Sequence, residues 1–175
     1  DAFTLTPNIF DSKRSYKTKN LLSFSGVSSE GIMNYVDLAI IESIKLLKAR
    51  YFRYMDTKQW DQLRTLFTSD LVADFREAPG DLSHGRDVYM KMLIGAIGDA
   101  TTVHHGHTPE ITLLTDITAE GIWAMYDIVD HPQFLLEGWG HYHEEYRADG
   151  DGNWRIAKLK LTRLKLNFSD KNSLP

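Results

Sequence analysis

From Thr101 onward the chain reads as four long strand-like runs, broken by turn signals at Thr115-Asp116, Asp130-His131-Pro132 and Asp149-Gly150-Asp151-Gly152. Helical spacing dominates before them. Between Asp37 and Asp56, the residues Ile40, Ile44, Leu47, Tyr51 and Tyr54 recur at intervals of three and four, which predicts an amphipathic helix of about five turns. Thr57 can cap a second helical segment in which Trp60, Leu63 and Phe67 share a face. Residues Asp70 to Arg76 predict a short strand, residues 77–85 a loop, and Arg86 to Ile97 a third helix. Helices first and a meander of strands last predict an α+β fold, with helices on one face of a curved antiparallel sheet. Such a sheet leaves a cavity that residues of one parity on each strand would line.

At 175 residues the chain suits one domain. Residues 1–36, rich in Ser, Lys, Asn and Thr, read as an extended arm, residues 37–168 as the domain, and residues 169–175 as a tail. The formal charge of −4 gives no basic excess for nucleic acid, so none is expected as a partner. No apolar run reaches the roughly 18 residues that suggest a membrane span, and cysteine is absent, which excludes disulfides and thiolate metal sites. The chain begins with Asp rather than Met and shows no charged-then-apolar leader pattern, so a native start upstream of this sequence is expected and the cytoplasm is only the default localisation.

The stretch TTVHHGHTPEI, residues 101–111, holds three of the seven histidines. On a strand, His104 and Thr102 face one way, and His105 and His107 the other. On the run GIWAMYDIV, Trp123, Met125, Asp127 and Val129 share a face, and a carboxylate on so apolar a strand calls for a partner. A neighbouring strand carrying His104 would supply one. An Asp that holds one imidazole nitrogen makes the other a better base; equally, a buried Asp-His pair can serve only to tie two strands together.

Tyr51 and Tyr54 fall near the end of the first helix, where a phenol either fills the core or offers its hydroxyl to a ligand. Asp56 ends that helix, against an unfavourable dipole, which points to a local or functional reason for it. Arg163 shares the parity of Ala157, Leu159 and Leu161 and, if inward, needs a carboxylate or an anionic ligand. The pairs His105/His107 and His141/His143 have metal-ligand spacing but no third ligand at a supporting distance, so no metal site is expected. A Gly-rich phosphate loop, a GxSxG elbow and an HExxH motif are all missing.

The corner RYFRYMDTKQWDQLRTLFTSD, the strands TVHHGHTPEI and GIWAMYD, and the ending GHYHEEYR…WRIAKLKLTRL together resemble the SnoaL-like branch of the nuclear-transport-factor-2-like superfamily. The resemblance covers residues 37–168 and is nearest to the bile-acid 7α-dehydratase and scytalone dehydratase type. It implies a cone of curved sheet wrapped by about three helices, a deep apolar pocket, no cofactor, and a homodimer or homotrimer. Tyr51 and Asp56 match the family's helix-end Tyr and Asp, His104 its pocket histidine, Asp127 the acidic partner, and Arg163 the arginine of the last strand. Scytalone dehydratase resembles a variant with histidine at the position of Asp127 and asparagine near Tyr142, which sets this chain closer to the bile-acid type.

The function expected is a cofactor-free dehydratase acting on a hydroxylated, carbonyl-bearing, mostly apolar ring compound. His104 and Asp127 would abstract a proton, Tyr51 would donate to the developing enolate or departing hydroxyl, and Asp56 would orient Tyr51 or His104. Arg163 would pair with a carboxylate or an anionic part of the substrate. Tyr54, Trp123 and Met125 would form walls, with Trp139 and Tyr142 as additions. Isomerisation or ring closure starts from the same enolate, and a non-catalytic ligand-binding pocket is the other alternative.

Overall fold

The computed structural model describes residues 35–173, so the expected arm lies outside the described residues but for Tyr35 and Val36. Those two open helix α1, Tyr35–Asp56, followed by α2, Trp60–Thr65, and strand β1, Phe67–Glu77. Strand β2, Leu82–His84, and helix α3, Arg86–Ile97, complete the first half. The second half is β3, Thr101–Thr115; β4, Thr118–Asp130; β5, Phe134–Ala148; and β6, Trp154–Asp170, with a short 3-10 turn at Lys171–Ser173.

The six strands form one sheet in the order β2-β1-β6-β5-β4-β3. Strand β1 runs parallel to β6, and every other pairing is antiparallel, so the sheet is mixed. The three long antiparallel pairings place the four expected runs side by side as a meander, with the predicted turns between them. The loop expected over residues 77–85 contains one addition: Ser83 pairs with Ala73 as part of β2, a three-residue strand too short to show a period of two.

Helix α1 buries Ile44, Leu47, Lys48, Tyr51 and Met55 as one stripe against the sheet. One turn beyond Tyr51, the 3.6-residue period assigns the inward place to Met55, so Tyr54 lies off the stripe and is only half-buried. From the sheet, Leu71, Ala73, Trp123, Tyr142, Tyr146, Ile156 and Leu159 close the core. Burial on β4 and β5 alternates strictly, as an antiparallel sheet covered on one face requires.

A bulge interrupts β6 just after Arg163, which pairs with Gly140 while Lys165 pairs with Trp139, leaving Leu164 extra and exposed. The ladder runs unbroken from Leu161 to Arg163, so Arg163 shares the inner side of Leu159 and Leu161. The bulge shifts the phase by one, and beyond it the inner side passes to Leu166 and Phe168.

Candidate active site

Helix α1 ends in a corner built by its own backbone. The Gln59 N–H donates to the Tyr54 carbonyl at 2.8 Å and the Lys58 N–H to that of Met55 at 3.2 Å, with Lys58 at φ 57°. This is a Schellman ending whose left-handed residue is a lysine in place of the usual glycine. Thr57 belongs to that ending, since its hydroxyl donates to the Arg53 carbonyl at 2.6 Å. It does not cap α2, whose first turn follows Gln59.

The corner delivers Asp56 to strand β3. Its Oδ1 lies 2.6 Å from His104 Nδ1 and accepts from the Thr102 hydroxyl at 2.9 Å, while Oδ2 accepts from the His104 backbone N–H at 2.8 Å. Lys58 Nζ extends the chain, donating to Thr102 Oγ1 at 3.1 Å and to the Ile97 carbonyl at 3.0 Å. In the neutral ring, an Nδ1–H directed at Asp56 leaves Nε2 as the acceptor. His104 is 8% exposed, with Thr102 buried beside it, whereas His105 and His107 are exposed on the opposite face.

Asp127 is not the partner of that imidazole. The two residues stand opposite each other across β3 and β4, as expected, but Arg163 Nη1 and Nη2 hold both Asp127 oxygens at 2.8 Å. A guanidinium offers two parallel donors to one carboxylate, an arrangement a single imidazole nitrogen cannot match. The pair fits because Gly138, opposite Asp127 on β5, has no side chain: a Cβ there would lie 2.0 Å from Arg163 Nη1 and 2.4 Å from Asp127 Oδ1. Arg163 Nη1 also meets Met125 Sδ at 3.4 Å, and its Nε is buried without a partner among the described residues.

His104, Asp127 and Arg163 border one cavity of about 480 Å³ together with Tyr51 and Tyr142. Its other walls are apolar, from Tyr89, Met92 and Leu93 on α3 to Val129, Leu136 and Leu161 on the sheet. Residues 78–81, from the turn between β1 and β2, and Phe134 and Phe168 contribute further lining. Tyr51 and Tyr142 meet edge to face, ring centroids 6.0 Å apart. Burial, followed by neighbouring phenols in the case of Tyr51 and by Asp127 in that of Tyr142, pushes both hydroxyls well above the ordinary tyrosine range. At neutral pH both are donors.

Four expected wall residues stand elsewhere. Trp139 faces outward, because the inner parity of β5 is Leu136, Gly138, Gly140 and Tyr142; its ring lies 5.1 Å from that of Tyr126, with Lys165 nearby. Tyr54 packs at the edge of the core under the Arg53 guanidinium. Trp123 faces inward but gives its Nε1–H to the Tyr146 hydroxyl at 2.7 Å, and it borders a smaller cleft with Phe52, on the other side of His104. Met125 lies behind the Asp127–Arg163 pair. Among the described residues, no three His, Asp or Glu side chains converge as a metal site, and no helix is long and apolar enough to cross a membrane.

Sequence reasoning did not find Gly138, Thr102 or Lys58 as parts of the site. Thr102 was legible by parity with His104, but the roles of Gly138 and Lys58 depend on register and on the corner's dihedral angles.

The fold is shared with several solved structures. A candidate scytalone dehydratase from Novosphingobium aromaticivorans DSM 12444 superposes with a TM-score of 0.70 at 23% identity, over 77% of this chain and 91% of that one. A type 2 hexachlorocyclohexane dehydrochlorinase superposes at 0.67 with 15% identity, over 78% and 93% of the two chains. A candidate aromatic ring hydroxylase, also from N. aromaticivorans, superposes at 0.69 with 18% identity, over 77% and 94%. Residues 36–160 match the SnoaL-like domain, and the chain therefore belongs to the SnoaL-like family of the nuclear-transport-factor-2-like superfamily.

Proposed function

We propose that the protein is a cofactor-independent lyase that removes water from a hydroxylated, carbonyl-bearing, mostly apolar ring compound. The observation that carries this reading is the Asp56–His104 dyad on the wall of an apolar cavity that two buried phenols also line. Asp56 fixes the imidazole tautomer, and His104 Nε2 takes the proton next to the carbonyl. Electron density moves onto the carbonyl oxygen, where Tyr51 or the free Arg163 Nε–H donates to the enolate. The enolate then collapses, a carbon-carbon double bond forms, the carbon-oxygen bond to the hydroxyl breaks, and the imidazolium returns its proton to the departing oxygen as water.

The role first expected of Asp127 in activating His104 passes to Asp56, and Asp127 with Arg163 becomes a neutral polar wall. Because Asp127 already occupies two guanidinium nitrogens, the cavity favours an uncharged substrate over an anionic one. Two neighbours named for eliminations, a candidate dehydratase and a dehydrochlorinase, agree with a lyase. Incubation with a panel of cyclic hydroxy-ketones, followed by the absorbance of the new conjugated double bond, tests the reading. Turnover that vanishes in His104→Ala supports it; equal turnover in wild type and variant rules it out. Assembly as a homodimer or homotrimer belongs to the same proposal and is decided by sedimentation equilibrium.

A further inference from the structure

Behind the cavity, and outside the machinery above, Lys48 and Glu144 form an ion pair whose side chains have no exposed surface. Lys48 lies on the buried stripe of α1 and Glu144 on the inner parity of β5. The second Glu144 oxygen accepts from the Tyr146 hydroxyl at 2.5 Å, and that hydroxyl accepts from Trp123 Nε1. The result is a continuous, fully partnered chain from α1 through β5 to β4.

Desolvating two ions is costly, and apolar residues of similar volume commonly stabilise a core as well. Packing alone therefore does not account for the pair. Its surroundings do. Lys48 Nζ sits 3.6 Å from the ring centroid of Tyr142, 4.1 Å from that of Tyr51 and 4.7 Å from that of Phe52. Tyr142 and Tyr51 are the two phenols on the cavity wall. One ammonium thus touches the π-faces of both.

We propose that the Lys48–Glu144 pair is a positioning element for the reaction, with its cation clamping the rings of Tyr51 and Tyr142 and strengthening their hydroxyls as hydrogen-bond donors to the substrate oxygen. A cation on a ring face is attracted by the ring quadrupole and draws electron density from it, which makes the phenolic O–H a better donor. Glu144 anchors the ammonium so that its position does not depend on the ligand. Burial lowers Lys48 to about 8, opposed by the Glu144 charge, so the ammonium is still largely protonated at neutral pH. The groups facing it are Glu144, Tyr51, Phe52 and Tyr142, with Tyr146 beyond Glu144.

The inference rests on the proposed dehydration, and its test separates the two. The double variant Lys48→Met/Glu144→Gln removes both charges together and leaves no stranded ion. With a hydroxy-ketone that the wild type turns over, kcat should fall about tenfold or more while KM changes less than about twofold, since the donors act chiefly on the developing oxyanion. In the protein without substrate, ring-flip rates of selectively labelled tyrosines should rise at Tyr51 and Tyr142 and stay unchanged at Tyr126, which stacks near Trp139 on the outer face of the sheet. If no hydroxy-ketone is turned over, the dehydratase reading fails and the ring-flip comparison still decides the clamp. Wild-type flip rates at Tyr51 and Tyr142 in the double variant, equal loosening of Tyr126, or an unchanged kcat would overturn the proposal.

Discussion

Asp56 and Asp127 approach the same short stretch of β3 from opposite sides, and they have opposite lives. Asp56 reaches it from a helix end, keeps about a fifth of its side chain in solvent, and binds imidazole, hydroxyl and backbone donors. Asp127 reaches it from within the sheet, is almost fully buried, and is bound at both oxygens by one guanidinium. An orienting carboxylate must leave its imidazole able to alternate between neutral and charged forms, which a mixed set of donors beside solvent allows. A deeply buried carboxylate needs a permanent countercharge, and arginine supplies one at any pH the fold survives. The first is arranged for chemistry and the second for shape.

Removing the imidazole that lies between them should have the largest effect on turnover. His104→Ala is expected to lose about 10² to 10⁴ in kcat with the far-UV spectrum unchanged, the range for a missing general base. The two carboxylates should then separate by what they damage. Asp127→Asn strands the Arg163 guanidinium and should cost about 3–5 kcal/mol in urea unfolding, whereas Asp56→Asn should leave the urea midpoint near wild type and lower kcat roughly a hundredfold through a misoriented imidazole. Comparable stability losses in the two variants would erase the distinction drawn above.

Gly138→Ala tests the Asp127 side without removing either charge. Its methyl group must displace the ion pair, and a loss of about 1–3 kcal/mol is expected from such overpacking. On the Asp56 side, Lys58→Gly should show the smallest effect: relief of the left-handed backbone, about 1 kcal/mol, is opposed by loss of a hydrogen bond of about the same worth. Stability should therefore stay near wild type, while kcat drops modestly as Thr102 loosens.

The pH dependence of stability sharpens the contrast between these sites and the buried core. Lys48 is held lower in the fold, at about 8, than its ordinary 10.5, so between those values the unfolded chain binds more protons and this group makes stability rise with pH. Tyr51, Tyr142 and Tyr146 are raised by burial, so their contribution is complete below pH 10 and is lost as the pH climbs beyond it. Urea midpoints between pH 7 and 11 should pass through a maximum; Lys48→Met/Glu144→Gln should flatten its rising side and, because the Glu144 charge also helps to raise Tyr146, soften the falling side as well.

Much of the fold was legible because its periods are clean. Strand parity alone separated His104 from His105 and His107, and it grouped Asp127 with Trp123 and Met125 and Arg163 with Leu159 and Leu161, while the direction of Arg163 had to come from the fold. What parity cannot supply is the partner. Asp127 stands opposite His104 in the register, yet Arg163 reaches it from two strands away through the space left by Gly138. Local periodicity misplaced Tyr54 and could not show that Trp139 stacks on the outer face, because both assignments turn on a single residue of phase. Asp56 stood out by its conflict with the helix dipole, and that conflict is answered by the imidazole.

The attachment of Asp56 to His104 at two points, ring nitrogen and backbone nitrogen, means that the base and its orienter travel as one piece. If the sheet breathes or a bulky ligand pushes β3 aside, the carboxylate is pulled along by the peptide it grips, and the tautomer survives the displacement. A pocket of this kind can accept substitutions along its apolar walls, and so explore new ring shapes, without retuning its base at each step.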